Sequence, residues 1–207
     1  NGVTIWRTRK DYGPATKLLG LLEREIPKNL SKEEEPLIIT VDDDKIYHKD
    51  CVKQLLEGWK RNQNCIVARK GIIMVQLSKT SKLYLSRKKG YDMLNRYHEI
   101  VLKGSDLTKD TEISILLGTG GVLYRASFFE DDIFDYKKKD KRFPSKKIFH
   151  TDDIYLSGYV SVKGIVKKAI YFEKTDIIKR IDNIKPNRTA VLDPDSRSRR
   201  INPLIDL

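Results

Sequence analysis

The feature that most constrains this chain is a short apolar run that ends in three consecutive carboxylates. Residues 37–41 read LIITV, and Asp42, Asp43 and Asp44 follow them directly. A continuous run of this length and composition is typical of a strand buried on both faces of a sheet. Proteins of the α/β class bind ligands at the carboxyl ends of such strands. The sequence therefore predicts a central strand with an acidic site at its end.

The elements around this strand alternate in type along the chain. A short strand at residues 3–7 is followed by a turn and by apolar residues at helical spacing over 15–26. Beyond the acidic triplet, the same spacing predicts a helix over 52–59. Because parallel strands are joined by helical crossovers, this order predicts an α/β fold with a mixed, mainly parallel sheet and helices on both faces. The other predicted elements are strands at 65–69, 72–77, 113–117, 122–124 and 166–172, and helices at 93–102 and 152–162.

One domain accounts for the length and composition. The 207 residues are 39% hydrophobic and 34% charged, which is apolar enough for a core. We expect a single domain over residues 1–207, whose polar tail at 174–207 wraps the surface. No apolar stretch approaches the ~18 residues of a membrane span. Two cysteines, Cys51 and Cys65, cannot build a disulfide framework, and they favour a cytoplasmic protein with free thiols.

The charge balance is strongly basic. Lys and Arg number 41 against 29 Asp and Glu, which gives a net charge of +12. This balance is compatible with a solvated basic surface or with an anionic partner such as a nucleic acid. The basic runs at 137–147 and 197–200 lack interleaved aromatic residues for stacking on bases, and the acidic triplet would repel phosphates without a metal. A nucleic-acid-binding module is therefore the weaker alternative.

The acidic triplet requires a chemical explanation. Three adjacent carboxylates repel one another unless a cation neutralises them. Oxygen ligands of this kind suit Mg²⁺ or Mn²⁺, which keep coordination positions open for substrate phosphates. The structural alternative is that one carboxylate caps the following helix and the others are solvated. The position directly after a buried strand favours the metal site.

A second acidic pair, Asp152 and Asp153, opens the predicted helix at 152–162. Thr151 precedes the pair as an N-cap candidate, and acidic residues in a first turn complement the helix dipole. Taken alone, the pair is best explained by helix capping. Beside the acidic triplet, it could instead supply a general base or another metal ligand.

A glycine-rich segment, residues 118–121 (GTGG), can bring the backbone close to a substrate. It is not a phosphate-binding P-loop, because no Gly-Lys-Ser/Thr follows it. It is also not the dinucleotide fingerprint, because a predicted strand follows it where that motif requires a helix. The segment therefore indicates only a close backbone approach.

Four segments in a fixed order resemble a known family. They are residues 11–17 (DYGPATK), 38–47 (IITVDDDKIY), 118–125 (GTGGVLYR) and 151–159 (TDDIYLSGY). Together they resemble the GT-A glycosyltransferases, in particular a branch found in large algal viruses and some bacteria, over roughly residues 3–172. The resemblance implies a Rossmann-like GT-A fold. It also implies transfer of a sugar from a nucleotide-diphosphate sugar, such as a UDP- or GDP-sugar, to a hydroxyl of a glycan or glycoprotein.

The resemblance further implies a role for each matched residue. Asp42 and Asp44 match the Asp-x-Asp motif, whose last member usually binds the Mn²⁺ or Mg²⁺ that bridges the donor diphosphate. Asp153 matches the general base of inverting relatives, with Asp152 as the alternate. The residues matched to the donor pocket are Asp11, Gly13, Lys17, Asp42, Asp43, Gly120 and Gly121.

One departure from the family concerns the start of the chain. Relatives begin with a strand, a helix and a strand before the segment that matches residues 11–17. Because almost nothing precedes that segment here, we expect a truncated N-terminus without the strand that contacts the nucleotide base. The runner-up activity is a nucleotidyltransferase, which also uses metal and carboxylates but usually carries a glycine-rich basic loop on its first strand.

Overall fold

The protein has an α/β fold, seen in a computed structural model that describes residues 4–24, 35–76, 97–137, 152–173 and 179–180. These ranges hold three α-helices, a mixed five-stranded sheet, a three-stranded antiparallel sheet and a two-stranded ribbon. The helices are α1 (Thr16–Arg24), α2 (Cys51–Arg61) and α3 (Asp152–Val162), and the strands are β1 (Leu37–Thr40), β2 (Lys45–Ile46), β3 (Cys65–Ala68), β4 (Lys70–Gln76), β5 (Tyr97–Lys103), β6 (Thr111–Glu112), β7 (Ile115–Leu116), β8 (Val122–Arg125), β9 (Val166–Ala169) and β10 (Lys179–Arg180). None of the helices in the described ranges is long and apolar enough to cross a membrane.

The main sheet has the strand order β1-β8-β3-β9-β6. Strand β8 lies between β1 and β3 and is antiparallel to both, so β1 and β3 run in the same direction without touching. Among the described strands of this sheet, β3 with β9 is the only parallel pair of neighbours. The prediction of a mainly parallel sheet is therefore wrong. The helical crossover between β1 and β3 determined their common direction, but a strand from much later in the chain separates them.

Strand β1 forms where it was predicted, but it is not central. It lies at one edge of the five-stranded sheet, and only Ile38 and Thr40 of its residues are buried. The apolar run predicted burial on both faces. An edge position explains the difference, because the strand has a neighbour on one side only within the described ranges.

The three helices cover both faces of the main sheet, as predicted. On β3, Ile66 and Ala68 pack in one cluster with residues of α1 and α3. Val67, between them, packs in a second cluster with Leu55 of α2. Successive strand residues point to opposite faces, so one central strand contributes to both layers of the core.

Most helices were predicted correctly, and two other elements were not. Helices α1, α2 and α3 lie at the predicted positions, and α3 matches its predicted bounds. Residues 4–8 form no strand, and Ile5 there is 76% exposed. The helix predicted over 93–102 is wrong for residues 97–102, which belong to β5. Seven consecutive pairs with β4 override the helical spacing of its apolar residues.

The tail prediction can be assessed at one point. Of residues 174–207, the structure describes only β10, which pairs antiparallel with β2. This pairing places Lys179 opposite Ile46 and Arg180 opposite Lys45. The basic runs at 138–147 and 197–200 lie outside the described residues.

Candidate functional site

The predicted site segments meet at one end of the main sheet. Thr40, the last residue of β1, pairs with Val122, the first residue of β8. This register places the acidic turn (Asp42–Asp44) beside the glycine loop (Gly118–Gly121). Helices α1 and α3 begin at the same end, so four segments that are distant in sequence converge there.

Lys17, in the first turn of α1, connects two of these segments. Its Nζ lies 2.7 Å from Asp42 Oδ1 and 3.0 Å from Asp152 Oδ2. Burial alone would lower the pKa of Lys17, but the hydrogen bond to Asp42 and the charge of Asp152 outweigh burial and raise that pKa above its usual range. Lys17 is therefore a permanent cation held between two carboxylates.

Asp153 connects α3 to the glycine loop. Its Oδ1 accepts a hydrogen bond of 2.9 Å from the backbone N–H of Gly118. Burial raises the pKa of Asp153 from its ordinary 3.8 to about 6, with the charge of Asp152 adding to the effect and the Gly118 N–H opposing it. A carboxylate with a pKa in this range can accept and release a proton near neutral pH.

Asp152 is the more buried member of the pair, at 8% exposure. Its Oδ2 is within ion-pair distance of Lys17 but receives no hydrogen bond of acceptable geometry from the described residues. Charge attraction to Lys17 therefore holds this oxygen, and Asp152 serves the cluster by positioning the lysine. The alternative role of the pair in helix capping by Thr151 involves a residue outside the described ranges.

Tyr47 joins the acidic turn to the glycine loop. Its hydroxyl accepts a 2.9 Å hydrogen bond from the backbone N–H of Asp42 and donates one of 3.5 Å to the carbonyl of Thr119. The sequence pattern assigned no role to Tyr47, although it lies only five positions after Asp42. Apolar periodicity and charge carry no information on which groups its hydroxyl contacts.

A second tyrosine missed from the sequence, Tyr124, lies beneath the cluster. It is buried on β8, and its burial together with the charge of Asp153 raises its pKa above the usual range. Tyr124 therefore stays neutral beside the charged groups.

An open cleft of about 310 Å³ lies beside the cluster. Its lining includes Lys17, Asp42 and Asp43, three residues predicted to contact the donor, together with Pro14 and Val41. Small-molecule sites typically have volumes of about 300–1,000 Å³. The cleft can therefore accept part of a substrate such as a diphosphate and the groups next to it.

The segment before α1 shapes one wall of this cleft. Asp11 Oδ1 accepts a 2.7 Å hydrogen bond from the N–H of Gly13, which adopts a φ of 61°. That left-handed conformation suits glycine and directs Pro14 toward the start of α1. Asp11 and Gly13 thus shape the turn that carries Lys17, and neither belongs to the cleft lining.

The two remaining glycines of the predicted site have different surroundings. A Cβ at Gly120 would lie 3.0 Å from Lys70 Cγ. Gly121, at a φ of 89°, is packed against Leu55 and Cys51 of α2. Gly121 therefore faces the core and permits the turn into β8, whereas Gly120 lies against a lysine.

The predicted metal ligands are both engaged by lysines. Asp42 is paired with Lys17, and Asp44 Oδ1 lies 2.7 Å from Lys45 Nζ. Within the described ranges, no three His, Cys, Asp or Glu side chains are grouped as metal ligands. Mg²⁺ and Mn²⁺ are commonly held by only one or two carboxylates together with substrate phosphates. The side chain of Asp42, which lines the cleft, is 21% exposed, and that of Asp44, two residues along the same turn, is 55% exposed, so both carboxylates are accessible for that kind of donor set.

Comparisons with known proteins do not identify a family. No protein-family model matches the chain, and no curated protein matches its sequence. The function must therefore be argued from the site.

Proposed function

We propose that this protein is a glycosyltransferase of the GT-A type, which transfers a sugar from a nucleotide-diphosphate sugar to a hydroxyl acceptor. The observation that supports this most directly is the convergence at one end of the sheet of Lys17, the acidic turn and a carboxylate with a raised pKa, Asp153, with Lys17 and Asp42 lining the adjacent cleft. The order of the four segments that resemble GT-A enzymes supports it independently.

The cleft has the groups that a diphosphate requires. Lys17 at the start of α1 provides a cation, and the helix N-terminus adds a partial positive charge. Asp42 and Asp44 would hold Mn²⁺ or Mg²⁺, which would supply Lewis-acid stabilisation of the departing diphosphate. On donor binding, Lys17 can exchange its contact with Asp42 for a phosphate oxygen, because its side chain is 26% exposed.

Asp153 is the group suited to activate the acceptor. It would take the proton from the attacking hydroxyl as the hydroxyl oxygen bonds to the anomeric carbon and the diphosphate departs. The proton then resides on Asp153, whose raised pKa makes that protonated state accessible. Direct attack with a general base leads to inversion at the anomeric carbon.

Metal-dependent donor binding tests this proposal. In Asp44→Ala, affinity for UDP or GDP in the presence of Mn²⁺, measured by calorimetry, should fall about tenfold or more, because one metal ligand is lost. Glu57→Ala, an exposed carboxylate on α2, is the matched control and should bind as the wild type does. Unchanged nucleotide binding in Asp44→Ala would remove the metal assignment.

Product analysis separates the proposal from its alternatives. A glycosyltransferase releases a nucleoside diphosphate from a nucleotide sugar, whereas a nucleotidyltransferase releases pyrophosphate from a nucleoside triphosphate. Binding of DNA or RNA that weakens steeply with salt and ignores Mn²⁺ would favour the nucleic-acid module.

A further inference from the structure

A cluster of lysines lies on the side of the glycine loop where Gly120 is found. Lys70, the first residue of β4, packs so closely on the loop that a Cβ at Gly120 would lie 3.1 Å from the backbone nitrogen of Lys70. The Lys70 carbonyl also accepts a 3.2 Å hydrogen bond from the N–H of Leu117. The position of Lys70 relative to the loop is therefore set by its backbone and by its side-chain stem.

Two further lysines lie near Lys70. Lys103 is its direct cross-strand partner in the β4–β5 pair, and the Cβ atoms of such partners are only about 4.5–5.5 Å apart. Lys45, on β2, has a side chain that is only 15% exposed. Each of these lysines repels the charge on Lys70, and burial together with this repulsion lowers the pKa of Lys70.

Among the described residues, carboxylates match only one of the three lysines of the cluster. Within the described residues no carboxylate forms an ion pair with Lys70 or Lys103, whereas Lys45 is paired with Asp44. Like charges placed directly opposite each other in a sheet are destabilising. Such an arrangement, built against a substrate-facing loop, becomes favourable when an anion binds between the lysines.

The location distinguishes this cluster from the donor cleft. None of the three lysines is among the residues that line the cleft, which lies beside Lys17 and the acidic turn. Gly118 contacts Asp153 and Lys17, whereas Gly120, two residues along the same loop, contacts Lys70. The glycine loop therefore contacts the proposed base at Gly118 and the lysine cluster at Gly120.

We propose that Lys70, Lys103 and Lys45 bind a negatively charged group of the acceptor, a phosphate or a carboxylate, beside the glycine loop. The assignment to the acceptor rests on the proposed function, whereas the anion site itself does not. An acceptor anchored here by its charged group lies beside the same loop that contacts Asp153, which brings its hydroxyl near the proposed base. The acceptor class is then an acidic glycan or a phosphorylated saccharide.

Two anions and one neutral probe test the site. Inorganic phosphate, glucuronate and glucose are titrated at constant ionic strength while the backbone amides of Lys70 and Gly120 are followed by NMR. Saturable shifts at these amides with an anion, and none with glucose, are expected. A stronger response to phosphate indicates a phosphorylated acceptor, and a stronger response to glucuronate indicates a uronic acid.

Charge removal at an exposed position provides the matched comparison. Lys103→Gln should weaken binding of the preferred anion about tenfold, as expected for loss of one charge-assisted contact. Lys109→Gln removes the same charge from an exposed bend and should leave that affinity unchanged. Equal affinity in both variants, or shifts located elsewhere, would overturn the site.

A nucleotide competition separates this inference from the proposed function. UDP or GDP with Mn²⁺ should bind wild type and Lys103→Gln equally and should leave the anion-induced shifts in place. Displacement of the anion by the nucleotide would assign the lysines to the donor site and overturn the acceptor assignment. Anion binding in a protein that binds no nucleotide would overturn the glycosyltransferase proposal and the acceptor assignment, while the anion site itself stands.

Discussion

Asp153 is the residue on which the proposed chemistry depends. Its carboxylate accepts a hydrogen bond from the backbone N–H of Gly118. Burial and the charges of Asp152 and Lys17 act on its pKa. The family resemblance assigned the base to Asp153, with Asp152 as the alternate. The geometry favours the same order, because Asp152 is engaged by Lys17 whereas Asp153 has the raised pKa and lies against the glycine loop.

Asp153→Asn should abolish turnover without abolishing donor binding. The amide keeps the shape of the side chain and an oxygen for the Gly118 N–H, but it cannot accept the acceptor proton. Loss of a general base typically lowers the rate by ~10²–10⁴. Steady-state kinetics and nucleotide calorimetry on the same preparation measure the two effects separately.

The control for this variant is Asp106→Asn, an exposed carboxylate outside the site. It should retain wild-type turnover and wild-type nucleotide affinity. Normal turnover in Asp153→Asn would return the acidic pair to a role in helix capping.

The pH dependence of the reaction should report the raised pKa of Asp153. The base acts only when ionised, so kcat/KM should rise with pH and reach a plateau above about pH 6. The sign for stability is opposite, because a raised carboxyl pKa favours the protonated native state. Its stabilising effect is complete below the unfolded pKa of 3.8 and is lost as pH rises through about 6.

Rates measured over about pH 5–8 test this dependence, together with melting temperatures over the same range. In Asp153→Asn, the residual kcat/KM should no longer rise with pH through this range. The variant should be no less stable than wild type above about pH 6. A wild-type profile that is flat through this range would show that another group is the base.

Among the elements, the glycine loop has the largest influence on the site. It lies between β7 and β8, contacts Asp153 at one end and Lys70 at the other, and is tied to the acidic turn by Tyr47. A Cβ at Gly118 would lie 3.0 Å from both Asp153 Oδ1 and Lys17 Nζ. Because Gly118 has no side chain, Asp153 and Lys17 can both approach the loop.

Gly118→Ala should therefore impair activity while leaving the fold intact. The new methyl group pushes Asp153 and Lys17 away from the loop, and misplacement of reacting groups by up to ~1 Å can lower rates by up to ~10²-fold. We expect turnover to fall between about tenfold and a hundredfold. Gly118 has a negative φ, so alanine adds no backbone strain.

Gly158→Ala in α3 is the matched glycine control. Nothing lies within 4 Å of its prospective Cβ, and the position is exposed. Alanine should raise the free energy of unfolding by about 0.5–1 kcal/mol and leave turnover unchanged. Equal turnover in the two alanine variants would show that the loop does not position the base.

At the scale of the whole molecule, one polar network connects the C-terminal end of α2 to the segments before β6 and after β9. Asp110 accepts two 2.9 Å hydrogen bonds from the guanidinium of Arg61, one of 2.7 Å from Asn62 and one of 2.8 Å from the N–H of Tyr171. Burial alone would raise the pKa of Asp110, but these donors hold it below its usual value. The network joins three segments and contributes to stability without reaching the end of the sheet that carries the candidate site.

Acid denaturation should reveal this network. A lowered carboxyl pKa contributes stability that is complete above the unfolded value of 3.8 and is lost as pH falls through the native value. Asp110→Asn should lower the free energy of unfolding by about 1–3 kcal/mol at neutral pH. That difference from wild type should shrink in strong acid, as measured by urea denaturation.

Asp106→Asn is again the control, because its carboxylate is exposed and outside the network. It should change stability little at either pH. A difference between Asp110→Asn and wild type that is as large in acid as at neutral pH would attribute the loss to packing instead of charge.

The sequence alone determined the local elements and the identity of the charged segments. The periodicity of apolar residues identified α1 and α2, and the apolar run identified β1, because both patterns depend on residues only a few positions apart. The same local reasoning failed for residues 97–102, where pairing with β4 decided the structure. It also gave β1 a central position that no local pattern can establish.

The tertiary structure decided which of these segments meet. The insertion of β8 between β1 and β3 brings the glycine loop beside the acidic turn, and it also makes the sheet mostly antiparallel. The pairing of Lys17 with Asp42 spans 25 positions, and that of Asp153 with Gly118 spans 35. Distances and pKa values at the site arise from these long-range contacts. Local sequence patterns could therefore identify the charged residues, but they could not show that Lys17 lies between Asp42 and Asp152.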